Sequence, residues 1–204
     1  GQINMDRSTI VGLFNNAGTF TNVGTITIGS LASVGNYGVQ NNGTFNNNAG
    51  GAINIDRSTS VGLYNNTGGV FNQASTLTIG GQAASVGSYG LYNNAAFNNN
   101  AGGQINLDRS TSAGLYNNAG TFTNAATLTI GSVASVGTNG IYNTSTINNN
   151  SGGQINLDRA NSSGISLNAG AFANSGTITI GAVVSMTNLM TANTGTFSNN
   201  PGSV

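Results

Sequence analysis

Apolar and polar residues alternate along this chain in short runs of period two. In GTITIGS, residues 24–30, Ile26 and Ile28 fall on one side and Thr25 and Thr27 on the other. In GQINLD, from Gly103, Ile105 and Leu107 oppose Gln104 and Asn106. Such alternation predicts half-buried β-strands, because successive side chains of a strand point to opposite faces. Clusters of Gly and Asn follow each run and supply corners where positive backbone dihedrals are tolerated. No stretch offers the 3.6-residue stripe of an amphipathic helix.

The runs recur. Segments begin GLFNN at Gly12, GVQNN at Gly38, GLYNN at Gly62, Gly90 and Gly114, GIYNT at Gly140 and GISLN at Gly164, with a degraded LMTAN at Leu189. Spacings of 24 to 28 residues, each holding three strand-like runs, predict an all-β fold: a parallel β-solenoid, a right-handed β-helix of about eight coils. Laid over one another, the coils form columns. One reads Leu13, Val39, Leu63, Leu91, Leu115, Ile141, Ile165, Leu189; another reads Phe20, Phe45, Phe71, Phe97, Phe122, Ile147, Phe172, Phe197. Two residues past each ring position runs an amide column, Asn22, Asn47, Gln73, Asn99, Asn124, Asn149, Asn174, Asn199. A further apolar pair, from Ile3 and Met5 to Ile178 and Ile180, completes the interior. Strands stacked about 4.8 Å apart would place like on like, rings over rings and amides donating to amides.

A longer period overlies this one. Asp6-Arg7, Asp56-Arg57, Asp108-Arg109 and Asp158-Arg159 are 50, 52 and 50 residues apart and carry every side-chain charge of the 204-residue chain. The chain reads as one array of double coils, 1–50, 51–102, 103–152 and 153–204, and as a segment of a longer protein. Charged residues are only 4% of the total and cancel, so nothing gathers nucleic acid or anionic lipid. There is no Cys and no His, which removes disulfides and the commonest metal ligands. No apolar run is long enough for a membrane-spanning helix. No cofactor, metal or catalytic site is expected.

Three sets of residues are candidates for function. The Asp-Arg pairs are tiled rather than unique, and alternate coils carry Gly29, Gly80, Gly131 and Gly181 in the Asp column, so they read as structural corners and not as catalytic carboxylates. The outward pairs Thr25/Thr27, Thr76/Thr78, Thr127/Thr129 and Thr177/Thr179 resemble the Thr-x-Thr arrays of β-solenoid antifreeze proteins, which implies ice binding. Alternate coils, however, place Ala52/Asn54, Gln104/Asn106 and Gln154/Asn156 there. The position after the aliphatic column reads Phe14, Gln40, Tyr64, Tyr92, Tyr116, Tyr142, Ser166, Met190, whose parity faces outward. An exposed aromatic stripe of Phe14, Tyr64, Tyr92, Tyr116 and Tyr142 can stack on glycans or bury itself against a protein neighbour.

The GTFTN, TLTIG and GLYNN phrases resemble the β-helical repeats of bacterial secreted and cell-surface adhesins, similar to filamentous haemagglutinin and autotransporter passenger domains. The resemblance implies an extracellular fibre, stalk or filament, with self-association or neighbouring repeats of the same fibre, or a surface glycan or protein, as partners.

Overall fold

The computed structural model describes residues 1–82, 84–192 and 194–202. All described regular structure is strand, in three eight-stranded parallel sheets. Each coil contributes one strand to each sheet. In the first coil these are β1 (Gln2–Met5), β2 (Val11–Asn15) and β3 (Thr19–Asn22). The sheet begun by β1 carries the Thr pairs, that begun by β2 the tyrosines, and that begun by β3 the phenylalanines; we call them the Thr, Tyr and Phe sheets.

Register within each sheet is residue over residue. Leu77 pairs with Ile53 and Ile105, and Phe97 with Phe71 and Phe122. This register is enforced by burial, since a slip of one residue would turn every Ile and Phe to solvent. Ile26, Ile53, Leu77, Ile105, Leu128 and Ile155 are fully buried, as are Phe45, Phe71 and Phe97. Consecutive Phe rings from Phe20 to Phe122 stack at 4.7 to 5.2 Å between centroids, the strand spacing itself.

The columns of the first seven coils keep the predicted register, but Ile3, expected in the interior, is exposed, because its strand is the end strand of the Thr sheet; the last coil differs in register. Ile165 pairs with Met190 and Ser166 with Thr191, so Met190, not Leu189, ends the aliphatic column, and Thr191, not Met190, ends the outward one. Leu189 instead lies beside Gly164, at the position that is glycine in every other coil. The final residue of that segment, Asn193, lies outside the described residues.

Two further interior columns lie outside the predicted set. Asn15, Asn41, Asn65, Asn93, Asn117 and Asn143 form a second buried amide ladder, each Nδ2 donating to the next Oδ1 at 2.8 to 2.9 Å. Val34, Val86 and Val136, from the connections between the Thr and Tyr sheets, are also buried in the core.

Candidate functional site: the tyrosine face and the Asp-Arg corners

The connections from the Thr sheet to the Tyr sheet alternate between short and long. Short ones open with Asp-Arg, as at 56–60; long ones open with glycine, as at 29–36 and 80–88. Gly29 has φ +70°, and a Cβ there would lie 1.9 Å from the carbonyl oxygen of Asp56, so no other residue fits. Each long connection from 29 to 138 is held from both sides. Asp6, one coil before, accepts from the backbone N–H of Leu31 and Ala32, and Arg57, one coil after, donates to the carbonyls of Gly29 and Ser30. Asp108 likewise accepts from Val133, Ala134 and the Ser132 hydroxyl, while Arg159 donates to Gly131 and Ser132. Around 80–88, Asp56 accepts from Gln82 and Arg109 donates to Gly80. Asp and Arg of successive double coils therefore clamp the loop between them, across the loop and not within the dipeptide. The outermost members of the set, Arg7 and Asp158, take no part in a clamp among the described residues, and Arg7 is exposed.

The clamps differ electrostatically. Two backbone N–H donors hold the Asp6 carboxyl below the usual carboxylate range. Burial pushes Asp56 the other way, above that range, although Gln82 and the guanidinia of Arg57 and Arg109 oppose it. Gly81 stands where the first and third clamped loops have Ser30 and Ser132, so the hydroxyl donor is missing. Among the described residues no three His, Cys, Asp or Glu gather as a metal site, and no helix is long and apolar enough to cross a membrane.

The four Thr pairs all lie on the outer side of one sheet, but one of the eight residues is placed differently from the rest. Thr25, Thr27, Thr76, Thr78, Thr127, Thr129 and Thr177 are half-buried between the rows above and below them. Thr179 departs from this set and is exposed. The reason is its place in the last strand of the Thr sheet (Thr177–Ile180), where Asn156 covers it from one side and no strand of that sheet covers the other among the described residues. Thr179 therefore stands at the rim of the face and not within it. Inside the face, Thr76 pairs with Ala52 and Gln104, and Thr78 with Asn54 and Asn106. Threonine rows thus never adjoin.

The outward aromatic stripe is larger than its sequence parity shows. Tyr64, Tyr92, Tyr116 and Tyr142 follow one another at 4.8 to 5.2 Å between ring centroids, and Tyr37 and Tyr89 join them, 5.1 Å from Tyr64 and Tyr116 respectively. All six tyrosines of the protein form one cluster. Phe14 is half-exposed and is separated from it by Gln40. Strict alternation would turn Tyr37 and Tyr89 inward with Val39 and Leu91, but the alternation breaks at the intervening glycine. A Cβ on Gly38 or Gly62 would lie 2.3 or 2.4 Å from the buried Cγ2 of Ile55 or Ile79, so this glycine itself faces the core. The residue before it is thereby turned outward.

That outward position reads Tyr37, Val61, Tyr89, Ala113, Asn139, Ser163, large and small in turn. Over Val61 lies a shallow depression of about 220 Å³ walled by Tyr37, Tyr64, Tyr89 and Tyr92, with Ser60 at its edge. Over Ala113 lies a second of about 150 Å³, between Tyr89, Asn139 and Tyr142, edged by Ser112 and Thr138. Amides border the rings: Tyr64 and Tyr116 donate to Asn66 and Asn118 at 2.7 Å, and Asn94 donates to the Tyr64 hydroxyl at 3.0 Å. Burial is the main cause that raises the pKa of Tyr92 and of Tyr116, with neighbouring phenols adding to it, so the face stays uncharged through neutral pH. No protein-family model, curated protein or solved structure matches this chain.

Proposed function

We propose that this chain is a rigid structural and adhesive module, a segment of a bacterial extracellular fibre, stalk or filament that makes contact through its tyrosine face. The observation that carries the reading is the gathering of all six tyrosines on one side of a rod whose few charges are confined to its corners. Ladders that tie every coil to the next give such a rod lateral stiffness, and rigid aromatic side chains supply contact area at little entropic cost. Catalysis has no part in this proposal, because the Asp6 and Asp108 carboxylates are engaged in holding loops.

Electron microscopy of the full-length native product in physiological salt tests it. Filaments or surface-attached stalks with an axial repeat near 4.8 Å are the expected result. Discrete rods free in solution would overturn it. A second reading, ice binding, draws on the placement of all four Thr pairs on one sheet. Replacing Thr76, Thr78, Thr127 and Thr129 by Lys would then abolish thermal hysteresis and ice shaping, whereas the adhesive reading expects neither activity in the unaltered protein.

A further inference from the structure

The depressions on the tyrosine face recur with the double coil. The one over Val61 and the one over Ala113 are two coils apart and share Tyr89 as a wall. Their spacing along the axis is about 9.6 Å, twice the strand separation. Both are smaller than the roughly 300–1,000 Å³ of a pocket that encloses one small molecule, so they suit successive units of a chain lying across them. The floors are apolar, the walls are phenol rings joined in the second depression by Asn139, and the edges carry Ser60, Ser112 and Thr138 hydroxyls with amides nearby. No charged side chain lines either depression; all eight belong to the Asp-Arg corners.

We infer that this face is a furrow for an extended, neutral, β-linked polysaccharide, laid along the solenoid axis with one disaccharide unit per double coil; the inference rests on the adhesive reading above. A pyranose ring is apolar on its faces and ringed by hydroxyls, which matches aromatic walls under polar edges. An extended β-1,4-linked glycan repeats every two sugars over a length close to the two-coil spacing. A chain of coiled α-linked sugars would lose step with the depressions. A sulfated or uronic acid polymer would find no cation among their lining residues.

The probe is cellohexaose, added to the whole chain while tyrosine fluorescence and amide chemical shifts are followed. A heparin-derived octasaccharide serves as the charged control. Saturable change confined to the tyrosine sheet is expected with cellohexaose and none with the control. Tyr89→Ala, which removes the shared wall, should weaken binding by roughly tenfold or more. Val61→Tyr adds an aromatic ring but fills a depression, and should weaken binding as well; that outcome separates a shaped furrow from general aromatic adhesiveness. Unchanged ring resonances of the phenylalanine column, with unchanged methyl resonances of the buried Ile, Leu and Val, show that both variants remain folded.

Absence of saturation with cellohexaose would overturn the inference, as would undiminished binding by Val61→Tyr. So would a dimer in sedimentation that Tyr89→Ala converts to monomer, since a second copy would then occupy the face. Filaments that bind no cellohexaose would remove the glycan and leave the rod standing. Free rods that bind it would do the reverse.

Discussion

Single buried polar atoms mark where the repeat is imperfect, and the chain carries its own comparison for one of them. Ser58 and Ser110 follow the Asp-Arg pairs, and their hydroxyls are buried with no hydrogen-bond partner among the described residues. The same position in the fourth double coil is Ala160, buried in the same column. An unsatisfied buried hydroxyl costs on the order of 1–3 kcal/mol, so Ser110→Ala should raise stability by about 1 kcal/mol, seen as a higher urea midpoint. A lower midpoint would show that the hydroxyl has a partner after all. The carboxylates give opposite pH signatures. Asp6 has a depressed pKa in the folded chain, so its contribution is present above the unfolded value near 3.9 and is lost as pH falls through the folded one. Asp56 has a raised pKa, so its ionised form opposes folding at neutral pH, and stability recovers as pH falls through the folded value. Asp56→Asn should therefore match or exceed the unaltered protein at pH 7 and lose that advantage in acid. Asp6→Asn should be less stable at pH 7, and the gap should close in acid. Melting curves at several pH values check both signs.

At the level of strands and ladders, the amide column shows what one extra methylene does. Asn22 donates to Asn47 at 2.8 Å and Asn47 to Gln73 at 3.0 Å; the ladder resumes from Asn99 to Asn124 at 2.7 Å. Between them it fails. The longer Gln73 side chain donates to the Ser75 carbonyl at 2.7 Å, and the Oδ1 of Asn99 is buried without a partner among the described residues. Gln73→Asn should close the gap and stabilise the chain by about 1 kcal/mol, with the Asn99 side-chain amide environment changing in NMR spectra. A loss of stability would mean that Gln73 fills space an Asn leaves empty. The columns themselves were legible because identical residues return at a fixed period and alternate strictly within each strand. What escaped that reading lies where alternation or stacking stops. Tyr37 and Tyr89 are turned out by a glycine that faces the core, and Val34, Val86 and Val136 recur only once per double coil, in loops that carry no period-two alternation to mark them as inward. Thr179 repeats the sequence of Thr129 and yet is exposed where Thr129 is half-buried, since parity fixes the side of the sheet but not what lies above it. In the last coil a one-residue difference separates Leu189 from Met190, and Leu189 at the glycine position left no repeat to align it by. The partners of Asp and Arg were hidden for a different reason: each lies one coil away, so local spacing places the corner but not its contacts.

Across the whole molecule, the clamps impose a parity that the ladders do not. Columns run through every coil, so removal of any whole coil brings like onto like. The Asp-Arg coils and the long-loop coils alternate, so only removal of a pair restores the clamps. Deleting residues 103–152 joins Gly102 to Gly153 and stacks Gln154–Leu157 on Thr76–Ile79, with Arg159 arriving where Arg109 reached the Gly80 carbonyl. Deleting 104–126 also keeps the apolar and amide columns in register, with Ile147 in place of Phe122 over Phe97 and Asn143 over Asn93. It sets loop 131–138 directly on loop 80–88, however, and removes the Arg109 donation to Gly80 and the acceptance by Asp108 from Ser132, Val133 and Ala134. Each hydrogen bond to a charged group contributes on the order of 1.5–3 kcal/mol, so the single-coil deletion should be several kcal/mol less stable than the longer deletion although it retains more chain. Urea unfolding of the two proteins decides between them, and hydrogen exchange localises the effect. Fast exchange at Val86 is expected only in the single-coil deletion, because Val86 otherwise donates to the carbonyl of Arg109, whose place Arg159 takes in the longer one. Equal stabilities would mean that the ladders hold this stretch of the rod without the Asp108 and Arg109 clamps.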